Sequence, residues 1–456
     1  MERYRTETDS MGAMQIPADA LYGAQTARAV ENFPVSGWRL SRPMIRALGL
    51  IKQQAALTNG ELGLLPAELA AAIAGAAGEV VDGRHDEHFP VDIFQTGSGT
   101  SSNMNANEVI ASLAGRQLGR KVHPNDHVNL GQSSNDVFPT ALHLAATAEV
   151  HDRLLPALSR LRDRLAAKAD DFDDIVKLGR THLQDAVPIR LGQVFSGYVR
   201  QLELGVRRIR QATEGLLELP LGGTAVGTGL NTHPEFAPRT CSRLAEVTGH
   251  PFVEATNHFE AQAACDAAVQ LSGALRTCAV SLFKIANDIR FLASGPRGGY
   301  GELKLPAVQP GSSIMPGKIN PVMAESLLQV CVQVIGFDSA IGLAGLSGNF
   351  ELNVMQPLLA HNLLEGIRLL ANAAQLFADR CVDGLQADRE RCEEMVEKSL
   401  AMVTALAPEI GYDRAADLAK QAFAEGKTIR EICLEKEILP AERLERLLDP
   451  RPQTGP

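Results

Sequence analysis

Residues 262–293 read QAACDAAVQLSGALRTCAVSLFKIANDIRFLA, and their spacing decides the architecture. Leu271, Leu275, Cys278, Leu282, Ile285, Ile289 and Leu292 follow one another at alternating steps of four and three. Side chains so spaced form one stripe of an α-helix, a heptad seam reaching about 30 Å at about 1.5 Å per residue. Such a seam is buried only by another helix packed nearly parallel or antiparallel to it. Leu154, Leu158, Leu161 and Leu165 step by four, three and four and make a second stripe. Segment 325–346, ESLLQVCVQVIGFDSAIGLAGL, is apolar nearly all round, which predicts a helix buried at the centre of a bundle. Further helices are predicted at about 43–59, 66–82, 188–215 and 356–380. The fold class is all-α, and so many long helices predict a bundle that continues across the subunits of a homo-oligomer.

Composition narrows the function. The chain has 456 residues, 45% hydrophobic and 21% charged, which is ordinary for a globular protein. Aromatics are scarce and the one Trp is Trp38, so Ala, Leu and Val must fill the core. A net charge of −10 speaks against nucleic acid as a partner. An acidic substrate then needs a local pocket of cations and N–H donors. The seven cysteines show no CxxC or CxxH spacing and lie mostly in apolar helical stretches. They read as reduced, buried thiols of a cytoplasmic protein, without structural zinc. The first residues, MERYRTETDSMG, lack the apolar core of a signal peptide, and no charge-free apolar run of bilayer length occurs. Neither a membrane span nor a metal or other cofactor is expected. The chain divides into an N-terminal part of short helices and loops (1–132), a central helical bundle (133–390) and a small C-terminal helical domain (391–456). The last eight residues, DPRPQTGP, read as a disordered tail.

One segment concentrates chemistry. Residues 311–321 read GSSIMPGKINP. Gly and Pro make this a loop. Lys318 can pair with a carboxylate as a point charge, and Asn320 can donate to the same group. Backbone N–H groups near Ser312 and Ser313 can stabilise an enolate-like dianion as it forms. A serine here can act as a base if its alkoxide is stabilised. By composition alone, a plain surface loop between two helices reads equally well. GGTAVGTG (222–229) has neither a GK[ST] ending nor a βαβ frame, so nucleotide binding is rejected.

GSSIMPGKINP resembles the signature of the fumarase/aspartase superfamily, and most closely that of the class II fumarases. TGSGTSSNMN (96–105), HPNDHVN (123–129), GQSSNDVFPT (131–140), GRTHLQDAVPI (179–189), GGTAVGTGLNTHPEF (222–236) and GNFELNV (348–354) resemble that family too, in its order and over essentially the whole chain. The resemblance implies a long central helical bundle flanked by two smaller, mainly helical domains. It implies fumarate hydratase activity, the reversible anti addition of water to fumarate giving L-malate in the tricarboxylic acid cycle. Ser312 would be the base that removes the proton beside a carboxylate, with Ser313, Lys318, Ile319 and Asn320 on that carboxylate. Thr181 and His182 would lie on the opposite side of the substrate, His182 activating water and Glu325 polarising it. Ser98, Gly99, Thr100, Ser133, Ser134 and Asn135 would complete the substrate site. A peripheral dicarboxylate site would use Arg120, His123, Pro124, Asn125 and Asp126. The family also implies a homotetramer whose active sites draw on three subunits: 131–135 from one, 179–182 from another and 311–325 from a third.

The rival within the superfamily is aspartate ammonia-lyase. Aspartases tend to carry Gln, Thr and Ala where this chain has His182, Ser134 and Gly317, so all three positions side with the hydratase. Water addition needs a proton acceptor, which an imidazole supplies and an amide does not. Argininosuccinate and adenylosuccinate lyases match the motifs less well. A non-catalytic helical scaffold, as in related lens crystallins, is opposed by intact Ser312, Lys318 and His182. The chain departs from the usual fumarase pattern at Ser101, His258, Tyr300 and Ala324. These departures bear on which substituted fumarates fit, and leave the proposed acid and base untouched.

Overall fold

The structure, a computed structural model, describes residues 4–455. Helices hold 63% of the residues and no sheet exceeds two strands, so the class is all-α. The chain forms two compact units, one of residues 1–156, 207–279 and 332–371, the other of 157–206, 280–331 and 372–456. The cuts between them fall inside long helices.

The heptad stretch is a helix over Asp266–Leu292, and every seam residue but Leu292 is buried. Leu154, Leu158, Leu161 and Leu165 are also fully buried. The helices predicted at 43–59 and 66–82 run over Arg42–Glu61 and Ala67–Val81. Small residues set their close packing: a Cβ on Gly60 would lie 2.9 Å from that of Ala70.

Three expectations need correction. The apolar segment forms the helix Val322–Gly345, but only a third of its most apolar window is buried within the chain. Leu327, Cys331, Val334 and Ile341 are covered, while Val332 and Leu343 stand 59% and 68% exposed. This helix is long and apolar enough to cross a membrane by length and composition. Its Asp338, however, is held by Arg276 at 2.8 Å and by Ser272 at 2.7 Å, as on a helix packed against protein. The helix expected from 188 begins at Leu191, because Gln184–Arg190 is a strand antiparallel to Val176–Thr181. Pro188, without an N–H and paired opposite Leu178, suits a two-stranded ribbon better than a helix interior. The end of the chain, expected to be disordered, makes a short 3₁₀ turn at Pro452–Thr454. Gln193 Nε2 donates to Thr454 O at 2.8 Å and Arg190 to Gly455 O at 3.1 Å. Pro456 lies outside the described residues.

Candidate active site

The first unit builds polar groups on helix N-termini. Gly99 enters the Thr100–Leu118 helix in a left-handed conformation, φ +72°. A Cβ there would lie 2.2 Å from the Phe138 ring, so only glycine fits. This turn sets Ser98 Oγ 2.8 Å from Thr100 Oγ1. Ser133 caps the Ser134–Glu149 helix in a capping box, with Ser133 N donating to Asp136 Oδ1 at 2.9 Å. Asp136 Oδ2 accepts from Gly222 N at 3.0 Å and Thr224 N at 2.9 Å, so the glycine-rich 222–229 segment serves this carboxylate. Burial pushes the Asp136 carboxyl above the usual carboxylate range, and its three N–H donors pull it back. Ser134 is buried and its Oγ accepts from Asn103 Nδ2 at 2.9 Å, while Asn135 Nδ2 donates to Ala225 O at 2.8 Å.

In the second unit the strands Val176–Thr181 and Gln184–Arg190 meet in a two-residue turn at His182 and Leu183, with φ of +55° and +60°. Two left-handed residues between paired strands make a type I′ turn, which normally takes Asn or Gly. Holding His and Leu there costs on the order of 1–2 kcal/mol per residue, the kind of strain that marks functional positions. Thr181 and His182 are exposed at the tip. The base of the hairpin is locked. Arg180 pairs bidentately with Glu302, both contacts at 3.0 Å, and lies over the Tyr300 ring at 4.2 Å. Lys177 Nζ adds a contact to Glu302 at 3.3 Å, and Glu302 is 0% exposed. Burial pushes the Lys177 ammonium down, against the pull of Glu302. Leu178 joins the apolar core of the C-terminal helices with Val396, Met402 and Leu406.

The 311–321 loop closes on itself in the same unit. Gly311 N donates to Lys318 O at 2.8 Å, and Asn320 Nδ2 donates to Gly311 O at 2.5 Å. Between them Met315–Lys318 turns through Pro316 and Gly317, φ +81°, as in a type II turn. Ser312 Oγ accepts from Ile314 N at 3.2 Å and Met315 N at 3.0 Å. The loop frames a hollow of about 460 Å³ that includes Ser312 and Lys318. Ser313, Lys318 and Ile319 are exposed. Glu325 stands in the first turn of the Val322–Gly345 helix.

Comparison with known proteins gives the family that carries these segments. The family described as "Lyase" matches residues 12–336, and "Fumarase C C-terminus" matches 402–454. This chain belongs to the class II fumarase family. The fumarate hydratase class II of Methylorubrum extorquens is 54% identical over 458 residues, covering 99% of this chain and 97% of that one. Its counterpart in Mycobacterium tuberculosis is 55% identical over 451 residues, with 98% and 95% covered. Among solved structures, class II fumarase from Schistosoma mansoni superposes with a TM-score of 0.96 at 43% identity, covering 99% of each chain. A fumarate lyase:delta crystallin from Brucella melitensis bound to cobalt gives 0.95 at 46% identity, covering all of both chains.

The peripheral residues of this class II fumarase family member also gather. Arg120, His123, Pro124 and Asn125 line a cavity of about 780 Å³ together with Arg5, Arg116 and Lys121. His123 Nδ1 accepts from Asp126 N at 3.1 Å, and Arg120 reaches Glu68 at 3.2 Å. Elsewhere His85, Glu87 and His88 bring potential metal-ligand atoms within 4.8 Å of one another. His85 is engaged by Glu79 at 2.8 Å, and His88 Nδ1 by Leu21 N at 3.4 Å. Several supporting residues escaped the sequence reading. Asp136 was announced by the spacing of SSND, serine followed three residues on by a carboxylate before an apolar run. Lys52 stands beside Gln53 and Gln54 within the mostly apolar LGLIKQQAAL. Glu302 had no local signal.

Proposed function

We propose that this protein is a fumarate hydratase, adding water reversibly and in anti fashion to fumarate to give L-malate. The observation that carries the reading is the pair of N–H groups, from Ile314 and Met315, directed at Ser312 Oγ. Hydrogen bonds to an oxygen favour its charged form, so these two make the alkoxide of Ser312 accessible as a base. In the malate-to-fumarate direction, Ser312 takes the proton from the carbon beside a carboxylate. That carboxylate gains a second negative charge, which Lys318, Asn320 and Ser313 stabilise as it develops. The C–O bond on the neighbouring carbon then breaks as His182, acting as the general acid, gives its proton to the hydroxyl, which leaves as water. No step calls for a metal or other cofactor. His182 and Gly317 favour water over ammonia as the leaving group, since aspartases tend to carry Gln and Ala at these two positions and water addition needs the proton acceptor that His182 supplies.

The same reading takes the enzyme to be a homotetramer with sites shared by three subunits. It is supported by the exposed Val332 and Leu343 of a helix apolar nearly all round. Seven free, buried thiols support a cytoplasmic place in the tricarboxylic acid cycle. The peripheral cavity is read as a second dicarboxylate site on the strength of Arg5, Arg116, Arg120 and Lys121, although Glu7, Asp9 and Glu108 also line it and Asp126 does not. The test is an ultraviolet assay of fumarate formation, started separately from L-malate and from L-aspartate. Turnover of malate alone is expected, and turnover of aspartate alone would overturn the reading. An active monomer in sedimentation would overturn the shared site.

A further inference from the structure

A dicarboxylate brings two negative charges, and the candidate residues answer them unequally. Lys318 is the cation of the loop. The Ser98, Thr100, Ser133, Ser134 and Asn135 group has none. Behind that group stands Lys52, on the Arg42–Glu61 helix and 0% exposed. Its Nζ donates to Asn129 Oδ1 at 2.8 Å and Gln132 Oε1 at 3.0 Å. Among the described residues no carboxylate pairs with it directly.

The amides relay its influence. Asn129 Oδ1 also accepts from Asn103 Nδ2 at 3.3 Å and Asn107 Nδ2 at 3.1 Å. Asn103 Nδ2 donates in turn to Ser134 Oγ. With its oxygen receiving that hydrogen bond, Ser134 is left to donate its own proton, which suits an anion. A buried ammonium held only by amide oxygens is costly, because neutral acceptors do not replace its hydration. Its cost is recovered when an anion arrives.

We propose that Lys52 is a positioning residue whose charge favours the substrate's second carboxylate through space and whose hold on Asn129, and through it on Asn103, orients Ser134 toward that carboxylate. This rests on the dicarboxylate reading above and names the cation that reading leaves out.

A pH dependence follows. Burial pushes the Lys52 ammonium down to about 7, with Asp136 opposing. Asp136 comes from the Ser134–Glu149 helix. On the Phe236–Thr248 helix Cys241 is pushed up to about 12 and stays a neutral thiol. On the Thr100–Leu118 helix, Glu108 directs its oxygens to Gly23, Gln25 and Thr26. On the Ala67–Val81 helix, Glu68 and Glu79 pair with Arg120 and His85. Lys52 is therefore charged below about pH 7 and loses its charge above it. An incoming dianion favours the charged form, so binding takes up protons and affinity falls as pH rises through that range.

The variant is Lys52→Met, of similar length and without charge. A unit charge some 10 Å away across an effective dielectric of about 20 changes the affinity of a singly charged group roughly tenfold. The expected result is a rise in KM for L-malate of about that factor, kcat within about threefold, and loss of the alkaline fall in kcat/KM near pH 7. An unchanged KM and pH profile beside a lowered melting temperature would make Lys52 a scaffold residue and overturn the proposal. Should Lys52→Met fail to fold, succinate binding to the wild-type protein is measured calorimetrically at pH 7.5 in buffers of different ionisation enthalpy. Net proton uptake supports the proposal and its absence overturns it. A wild type that turns over neither malate nor fumarate removes the proposed function, whereas an active wild type with an indifferent Lys52→Met removes only the role of Lys52.

Discussion

The serine cluster of residues 98–136 and the pair of tips at 181–182 and 311–320 are built on opposite plans. In the first, Ser98, Ser133, Ser134 and Asn135 each have a partner inside the unit, and Asp136 and Lys52 behind them are wholly buried. In the second, Thr181, His182, Ser313 and Lys318 stand exposed, and only Ser312 and Asn320 are tied to the loop's own backbone. A cradle that receives a carboxylate without reacting gains from rigidity. Groups that must take up and release protons need open positions, which here are closed only by substrate or by neighbouring chains in the proposed tetramer. Each tip compensates for its exposure with a stiff base: Glu302 under the His182 hairpin, and the Gly311–Lys318 neck under Ser312.

This contrast can be broken at its sharpest point with Ser312→Ala. Turnover should fall by up to about 10⁴-fold, the upper range for a proton-transfer group, while helical circular dichroism stays intact. Normal turnover would return the base to another residue. His182→Asn should slow hydration by about 10²-fold while leaving the melting temperature unchanged or slightly raised, because Asn suits the left-handed turn better than His. An unchanged rate would remove His182 from the chemistry.

The bases should answer differently, in stability. Glu302→Gln leaves Lys177 and Arg180 buried without their counter-charge, and such losses run to about 3–5 kcal/mol. The denaturation midpoint should fall accordingly, and a fall below about 1 kcal/mol would mean that the ion cluster is not what holds the hairpin. Smallest is Ser133→Ala, which removes one N-cap from a helix otherwise well buried and should cost about 1 kcal/mol. A much larger loss would show that the cap also orders the Asp136 and Gly222 contacts.

What could be read in advance followed from locality. The helices at 43–59, 66–82 and 262–293 announce themselves through spacing, because one turn of helix repeats within a few residues. The strand at Gln184–Arg190 has no local signature, because its Val187, Pro188 and Ile189 show no clean alternation. The end of the chain looked disordered by composition, yet it is held by Gln193 and Arg190, more than 250 residues earlier in sequence.

The site divides in the same way. Sequence alone determined the helical class and the family and singled out Ser312, Lys318 and His182 as candidates, because reactive residue types in short, ordered motifs carry that information directly. The tertiary structure decided what prepares them. It set the left-handed turn that presents His182 and aimed two N–H groups at Ser312. It also buried Glu302 against Arg180, and Lys52 behind Asn129. Those contacts join residues 77 and 122 positions apart, and the energy of a buried charge depends on which distant groups surround it. No local pattern records that environment.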